Sequence, residues 1–275
     1  MSFPRPRSCE KINNLTQRRQ GAKTRKEQVP CFLRAFYDFA PLREMLLLIQ
    51  GLFQAFRVPA PPDWGMLVAV SNEKAKEWSR NAFNRRAAKY EKTLAGWHSR
   101  KMKEVALRHV DRPIQGSLLD VGCGPGLLLE VLAGQAGEVN LAGLDIAPEM
   151  IRVAKERLGD RADLRVGDAE WLPWEDGRFD YLLCVDSFHH YPNPERVLTQ
   201  MHRVLKRSGR LVIADPWAPP VLRQMANLVN PLLRMGDVRM YGKRDMMRML
   251  EARGFEKTKW ETSGLWGFVV TALAR

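Results

Sequence analysis

The chain has 275 residues, enough for one domain with additions and for burial of most of the surface that an unfolded chain exposes. Its 44 Lys and Arg residues against 31 Asp and Glu give a net charge of +13, which permits an anionic partner without demonstrating one. Four scattered cysteines without a Cys-x-x-Cys pair argue against a zinc site and a disulfide framework, and predict a reducing, cytoplasmic setting. The longest apolar run, residues 45–53, is too short to cross a bilayer, so no transmembrane segment is predicted.

The first 65 residues are predicted to be a basic leader outside the folded domain. Residues 1–30 contain few apolar side chains, so burial cannot offset the entropy lost on ordering, and we expect this part to be largely disordered. An amphipathic segment follows, interrupted by Pro41, and either packs on the domain or lies on a membrane surface. A natural start at Met66 is a third explanation of this region.

Residues 66–112 are predicted to form a helical cap. Apolar residues three and four positions apart over 73–110 indicate two or more helices. Within this cap, Trp97, His98 and His109 are interpreted as packing residues.

From residue 113 to residue 275, predicted strands alternate with predicted helices. The strands cover residues 116–122, 139–145, 162–168, 178–186 and 210–215, with a hairpin at 255–261 and 265–274. The helices cover residues 127–137, 148–159, 193–209 and 244–254. This order predicts an α/β fold with a doubly wound, mainly parallel seven-stranded sheet of the Rossmann-like kind, an antiparallel C-terminal hairpin and the N-terminal helical cap.

The helix predicted over 193–209 has the clearest boundary signals. Asn193 is the expected N-cap and is followed by proline at the first helical position. Lys206 and Arg207 are expected in the last turn, where their charge would complement the helix dipole, and Gly209 is expected to end the helix.

A glycine-rich turn follows the first predicted strand. In open α/β sheets, ligands bind beyond the carboxyl ends of the strands, so this turn lies where a ligand is expected. Gly122, Gly124 and Gly126 follow a GxGxG spacing, whereas dinucleotide sites need GxGxxG. A pyrophosphate ligand is therefore disfavoured.

Carboxylates lie at the ends of four successive predicted strands: Asp120, Asp145, Asp168 and Asp186. Several carboxylates at one sheet edge favour hydroxyls, amines or a cation over phosphates. Asp145 comes 19 residues after Gly126, where a carboxylate can accept hydrogen bonds from both hydroxyls of a ribose. The sequence thus predicts a nucleoside ligand without a phosphate chain and with positive charge.

Four segments then occur in order: LLDVGCGPG, GLDIAPEMI, VGDAEWLPWEDGRFDYLLCVDSFHHY and VLKRSGRLVIADPW. Together they resemble the class I S-adenosylmethionine-dependent methyltransferases, in particular the small-molecule branch that includes the ubiquinone/menaquinone C-methyltransferases. The resemblance covers residues 83–215 well and the C-terminal hairpin loosely. It implies that residues 66–275 are a methyltransferase domain, with a catalytic core at 113–275 behind the cap.

The resemblance implies S-adenosylmethionine as the cofactor and assigns residues to it. Asp120 and the three glycines would hold the methionine moiety, and Asp145 the ribose. Asp168 would bind the adenine amino group, with the backbone of Ala169 beside it. Tyr90 would lie against the methionine end.

A catalytic base is needed only if the acceptor loses a proton. His189 and His190 follow the fourth predicted strand, and either could be that base. His189 is the candidate chosen, with shaping of the loop as the alternative. No metal ion is expected. The insert at 216–242 is rich in Leu, Val, Met and Pro, which predicts a small hydrophobic or aromatic acceptor, although the same residues equally suit a helix packed on the sheet.

The predicted function is therefore methyl transfer from S-adenosylmethionine to such an acceptor by in-line displacement. Two alternatives stay open: a nucleic acid (RNA) methyltransferase, suggested by the charge, and a non-catalytic S-adenosylmethionine-binding module. The segment CVDSFHHY lacks the Asn/Asp-Pro-Pro-aromatic pattern typical of enzymes that methylate exocyclic base amines. A small-molecule partner is favoured over nucleic acid for this reason.

Overall fold

The computed structural model describes residues 71–111, 114–134, 139–233, 236–264 and 266–275. All of them belong to the unit Gly65–Arg275. The predicted leader at 1–65 lies outside the described residues. The division of the chain into leader, cap and core stays a prediction.

A seven-stranded sheet forms the centre of the described part, with the order β3-β2-β1-β4-β5-β7-β6. Strands β1 to β5 pair in parallel, and β7 lies antiparallel between β5 and β6. The strands are β1 Gly116–Val121, β2 Val139–Asp145, β3 Ala162–Val166, β4 Phe179–Val185, β5 Leu205–Pro216, β6 Phe255–Ser263 and β7 Gly267–Ala274. The predicted mainly parallel sheet with an antiparallel C-terminal hairpin is confirmed.

Helices flank this sheet. They are α1 Asn72–Arg86, α2 Leu94–Ala106, α3 Leu127–Ala133, α4 Pro148–Leu158, α5 Pro194–Val204, α6 Pro220–Leu233 and α7 Lys243–Ala252. The side chains of Ser71 and Thr93 cap α1 and α2 by accepting backbone hydrogen bonds, and Pro148 begins α4 as predicted. In the described part of the chain, no helix is both long and apolar enough to cross a membrane.

The apolar runs of the central strands are buried on both faces of the sheet. Leu118 packs in one core cluster and its neighbour Leu119 in another, because successive side chains of a strand point to opposite faces. The same division separates Leu182 from Leu183 in β4. Helices covering both faces explain why these strands are continuously apolar and do not alternate with polar residues.

The helix predicted over 193–209 is wrong beyond Val204, where α5 ends. Leu205 begins β5 and pairs with Phe179 of β4, so Lys206 and Arg207 belong to the strand. Strand pairing of the buried Leu205 outweighs the helix-ending pattern, and Lys206 Nζ lies 2.8 Å from Asp180 Oδ2 of β4.

Two details of the predicted caps also differ. Asn193 stands at the N-cap position of α5, but its side chain makes no capping bond and instead donates to the carboxylate of Glu170. Gly209 lies within β5, in a stretch where the register with β4 shifts. The helix start was therefore located correctly, while its capping interaction and its end were not.

Candidate functional site

A cleft of about 740 Å³, counting its mouth, lies at the carboxyl ends of the strands. The loops after β1, β2, β3 and β4 form one wall, and α1, α2 and the turn between them form the other. The strand order reverses between β1 and β4, which is where ligands bind in sheets of this type.

Six of the nine predicted site residues line this cleft: Tyr90, Gly122, Gly124, Asp145, Asp168 and Ala169. The other three, Asp120, Gly126 and His189, are not part of its lining.

The glycine turn has a left-handed backbone at Gly122, Gly124 and Gly126. A Cβ at Gly122 would lie 2.0 Å from Ser187 Oγ, so no larger residue fits there. A Cβ at Gly124 would meet nothing within 4 Å, which leaves its backbone open to a ligand in the cleft. Gly126 instead begins α3 and packs closely on Ala154 of α4.

Asp145 connects the end of β2 to this turn. Its Oδ2 accepts a hydrogen bond from the Gly124 backbone at 2.9 Å, and its Oδ1 accepts one from the Ala147 backbone at 2.8 Å. Burial raises the pKa of Asp145 to about 6, although both hydrogen bonds oppose that change. Each oxygen retains a second lone pair for a ligand hydroxyl.

Asp120 and Lys103 are two buried charged groups near the methionine end expected for the cofactor. Burial raises the pKa of Asp120 to about 7, with Lys103 opposing, and Asp120 Oδ2 has no hydrogen-bond partner among the described residues. Lys103 lines the cleft and forms no ion pair within the described chain, and burial lowers its pKa. A ligand with a carboxylate would compensate this unpaired ammonium group.

Lys103 was not among the site residues predicted from the sequence. The available signal was a lysine among the apolar positions of α2, between Met102 and Ala106, both of which are buried. A single charged residue at such a position does not indicate what lies opposite it. Only the packing of α2 over β4 and β5 made Lys103 recognisable.

Asp168 is bound by the cap. Lys76 of α1 places its Nζ 2.8 Å from Asp168 Oδ2 and 2.8 Å from Glu170 Oε1. Burial acts to lower the pKa of Lys76, but these hydrogen bonds outweigh it and raise that pKa. Asp168 Oδ1 also accepts a hydrogen bond from the Glu170 backbone, and Ala169 lies buried beside it.

Aromatic rings form the wall of the cleft that comes from the cap and from the turn after β4. Phe83 contacts Tyr90 edge-on at 6.2 Å between ring centroids and His190 at 5.0 Å. Tyr90 is buried, and burial raises its pKa, so its hydroxyl stays protonated. This wall favours a flat apolar group over an extended charged one.

His189 and His190 have opposite environments. His189 Nδ1 lies 3.0 Å from Asp215 Oδ1, and its Nε2 lies 3.6 Å from Asp237 Oδ1. Burial acts to lower the pKa of His189, but the two carboxylates raise it to about 9. Burial and the neighbouring His189 lower the pKa of His190, which does line the cleft, to about 4.

A catalytic role of His189 stays a prediction, because its position in the structure does not test it. The imidazole lies outside the cleft lining and carries a proton at neutral pH, so it holds Asp215 and Asp237 by charge. Asp186, His189 and Asp215 group closely enough for a cation, but the proton on His189 already compensates these carboxylates.

A contact that the sequence analysis missed joins His98 of α2 to Asp186, the residue after β4. His98 Nδ1 lies 3.0 Å from Asp186 Oδ1, and Asp186 lines the cleft. No local pattern connects His98 and Asp186, which are 88 positions apart, so tertiary structure alone reveals this pair.

The interpretation of Trp97 as a packing residue is wrong, because its side chain is 60% exposed.

Comparisons with known proteins show which family the chain resembles. Residues 119–213 match the model of a methyltransferase domain family. A demethylmenaquinone methyltransferase of Staphylococcus aureus is 31% identical over 184 residues, which cover 58% of this chain and 73% of that protein. A demethylmenaquinone methyltransferase of Thermotoga maritima is 31% identical over 153 residues, covering 54% of this chain and 66% of that protein.

A third relative, the methyltransferase GfsG of Streptomyces halstedii, is 34% identical over 120 residues, covering 42% of this chain and 43% of its own length. The chain therefore spans just under two thirds of the Thermotoga relative and less than half of the Streptomyces relative.

Solved structures share the fold. A Thermotoga maritima structure described as an S-adenosylmethionine-dependent methyltransferase, possible histamine N-methyltransferase, has a TM-score of 0.56 at 20% identity and covers 72% of this chain and all of that one. A structure from Bacillus halodurans has a TM-score of 0.55 at 21% identity, covering 62% of this chain and 97% of that one.

Proposed function

Because the chain belongs to the class I S-adenosylmethionine-dependent methyltransferases, we propose that it transfers the methyl group to a small hydrophobic or aromatic acceptor by in-line displacement. The observation that carries this proposal is the aromatic wall of Phe83, Tyr90 and His190 on the cleft that Gly124 and Asp145 also line. The names of two relatives, both demethylmenaquinone methyltransferases, support an acceptor of this class.

The residues of the cleft fit S-adenosylmethionine. We assign Asp145 to the ribose hydroxyls, since both of its oxygens retain free lone pairs. The open backbone at Gly124 accommodates the close approach of the nucleoside, and the unpaired ammonium of Lys103 suits the methionine carboxylate. Asp168 and Ala169 are assigned to the adenine side. When bound, this donor supplies a methyl group on a sulfonium sulfur, a strong electrophile.

The chain's own contribution is to hold the reacting groups together and to exclude water. α1 covers the cleft and is fastened by Lys76 to Asp168 and Glu170. Tyr90 closes the cleft from the turn between α1 and α2. Holding two reactants in one enclosed geometry supplies a large part of the acceleration in such displacements.

The three predicted residues outside the lining have supporting roles in this proposal. Gly126 allows α3 to pack on α4 directly behind the turn. Asp120 places a buried carboxylate near Lys103. His189 lies outside the cleft lining, where its imidazolium holds Asp215 and Asp237 in position.

The first test is calorimetric titration of the full chain with S-adenosylmethionine, S-adenosylhomocysteine and NAD. We expect both methionine nucleosides to bind and NAD not to bind. Asp145→Ala should weaken binding by about tenfold or more, because hydrogen bonds to a charged group contribute roughly 1.5–3 kcal/mol. Asp176→Ala removes an exposed carboxylate outside the cleft and is the matched control, expected to bind as the native chain does.

The acceptor that is methylated distinguishes this function from the two alternatives, an RNA methyltransferase and a non-catalytic binding module. Incubation with S-adenosylmethionine and either structured RNA or a panel of small aromatic compounds, with S-adenosylhomocysteine as the measured product, should show turnover with the aromatic compounds. Turnover with RNA alone would contradict the proposal. Tight cofactor binding without turnover on any acceptor would instead favour a binding module.

A further inference from the structure

Asp186 faces the cleft from the end of β4 and has no part in the cofactor assignment above. Its backbone has φ of 56°, a left-handed conformation that is unfavourable for a residue with a side chain and that concentrates at functional sites. Oδ1 contacts His98, whereas Oδ2 accepts no hydrogen bond from any residue in the described ranges. One oxygen of this cleft-lining carboxylate therefore has acceptor capacity that no described residue uses.

His98 fixes the orientation of this carboxylate. Its Nδ1 lies 3.0 Å from Asp186 Oδ1, and the ring makes a further hydrogen bond to the backbone of Trp266. Burial acts to lower the pKa of His98, but these bonds outweigh it and raise that pKa. A ring that donates from both nitrogens has no lone pair with which to accept a proton, so His98 is a positioning residue.

Asp186 is ionised in this arrangement. Burial acts to raise its pKa, but the hydrogen bond from His98 and the nearby His189 and His190 lower it. The cleft thus presents a carboxylate with one free oxygen beside the aromatic wall of Phe83 and His190. Such an acceptor group selects a ligand with a hydrogen-bond donor next to an apolar ring.

Exposed apolar side chains accompany the pair at the surface. Leu94 and Trp97 are 75% and 60% exposed, and they lie four residues and one residue before His98 at the start of α2. Trp266, which contacts His98 through its backbone, is also partly exposed. These three side chains are not part of the cleft lining, so the selectivity for a ligand depends on the cleft residues themselves.

We propose that the acceptor is an aromatic compound with a hydroxyl group, that Asp186 Oδ2 binds this hydroxyl and takes its proton, and that His98 positions Asp186. The inference rests on the methyl transfer proposed above. The hydroxyl oxygen forms a bond to the methyl carbon while the carbon–sulfur bond breaks with its electron pair left on sulfur. The hydroxyl proton passes to Asp186 Oδ2 and then to solvent.

A weakly basic carboxylate is sufficient for this step. The hydroxyl proton becomes strongly acidic as the oxygen forms its new bond, because the oxygen then carries positive charge. A base within hydrogen-bond reach, ionised throughout the neutral range, can remove the proton at that moment.

The test measures binding of two probes to the full chain loaded with S-adenosylhomocysteine: 2-naphthol and 2-methoxynaphthalene, which lacks the hydroxyl proton. Equilibrium dialysis of the native protein should show 2-naphthol binding roughly tenfold tighter, the effect of one hydrogen bond to a charged group. Asp186→Asn should remove most of this preference while leaving S-adenosylhomocysteine affinity within about twofold.

His98 is tested by two variants. His98→Asn retains a donor for Asp186 Oδ1 and should keep most of the preference for 2-naphthol, whereas His98→Leu should lose it. His98→Leu also provides an independent test if Asp186→Asn fails to fold. The matched controls are Asp176→Asn and His109→Asn, which change a carboxylate and a cap histidine outside the cleft lining and should leave the preference unchanged.

The outcomes separate this inference from the function on which it rests. A native protein that binds S-adenosylhomocysteine but shows no preference for 2-naphthol overturns the inference and leaves the proposed methyl transfer standing. A preference that survives in both Asp186→Asn and His98→Leu also overturns it. If Asp186→Asn weakens S-adenosylhomocysteine as much as 2-naphthol, Asp186 belongs to the donor site and the inference fails. A native chain that does not bind S-adenosylhomocysteine contradicts the proposed function itself.

Discussion

Lys76 of α1 lies 2.8 Å from the carboxylate of Asp168 in the loop after β3, and this ion pair fastens the cap to the sheet. The lysine side chain is only 8% exposed, so it is a buried charge with three carboxylate neighbours. The part of α1 that covers the proposed adenine position is therefore held by the ion pairs of Lys76. The aromatic wall around Phe83 is held by packing.

Lys76→Met should loosen the part of α1 over the proposed adenine position. Breaking a fully buried ion pair costs roughly 3–5 kcal/mol. The cost is smaller here, because Asp168 is 30% exposed and Asn193 still donates to Glu170. We expect a lower free energy of unfolding in urea and faster dissociation of S-adenosylmethionine in stopped-flow measurements. Lys74→Met, an exposed lysine of the same helix, is the control. Equal dissociation rates in the two variants would show that the ion pair does not retain the ligand.

Gly124→Ala should impair binding more than folding. No atom lies within 4 Å of the added Cβ, so the folded chain bears only the strain of a positive φ, about 1 kcal/mol. The Cβ would nevertheless occupy the space where the nucleoside approaches the backbone. Calorimetry should show at least a tenfold loss of S-adenosylmethionine affinity.

Gly177→Ala is the matched control for that variant. Gly177 has a positive φ of 62° and equally open surroundings, but it lies outside the cleft lining. It should lose the same stability and retain ligand affinity. A comparable loss of affinity in both variants would mean that backbone strain, not the space above Gly124, explains the effect.

Asp120 should make the ligand-free protein less stable as pH rises. Burial raises its pKa from 3.8 to about 7, so the folded state binds more protons than the unfolded state between these values. Stability from this group is present at pH 4 and is lost as pH approaches 7. Asp120→Asn should flatten this decline in urea unfolding curves recorded from pH 4 to 8, by an amount on the order of 2–4 kcal/mol. An unchanged slope would show that the carboxyl group ionises freely in the folded chain.

His189 should contribute stability in the opposite pH range. The carboxylates of Asp215 and Asp237 raise its pKa from 6.5 to about 9, against the effect of burial, with His190 and Asp186 also close by. Its contribution is fully present below pH 6.5 and is lost as pH rises through 9. The melting temperature of the native protein should fall between pH 7 and 10, and that of His189→Gln should fall less. His109→Gln, a partly exposed histidine of the cap, should behave as the native chain does.

The sequence by itself determined the fold and the strand-end part of the site. The alternation of apolar runs, turns and amphipathic helices requires a parallel sheet covered on both faces, and parallel strands bring their carboxyl ends to one edge. For this reason Gly122, Gly124, Asp145 and Asp168 were identified as neighbours although they are far apart in the chain. Local chemistry was enough, because each of them lies at or just beyond the carboxyl end of a strand.

Only the tertiary structure decided what lies opposite these residues. Lys103, Lys76 and His98 belong to helices whose patterns specify a buried face but not its partner, since helix packing is set by side chains distant in sequence. The same limit explains the error after Val204, where pairing of Leu205 with β4 outweighed a plausible helix end. It also explains why His189 and His190, adjacent in the chain, differ so strongly: one faces Asp215 behind the wall and the other faces the cleft.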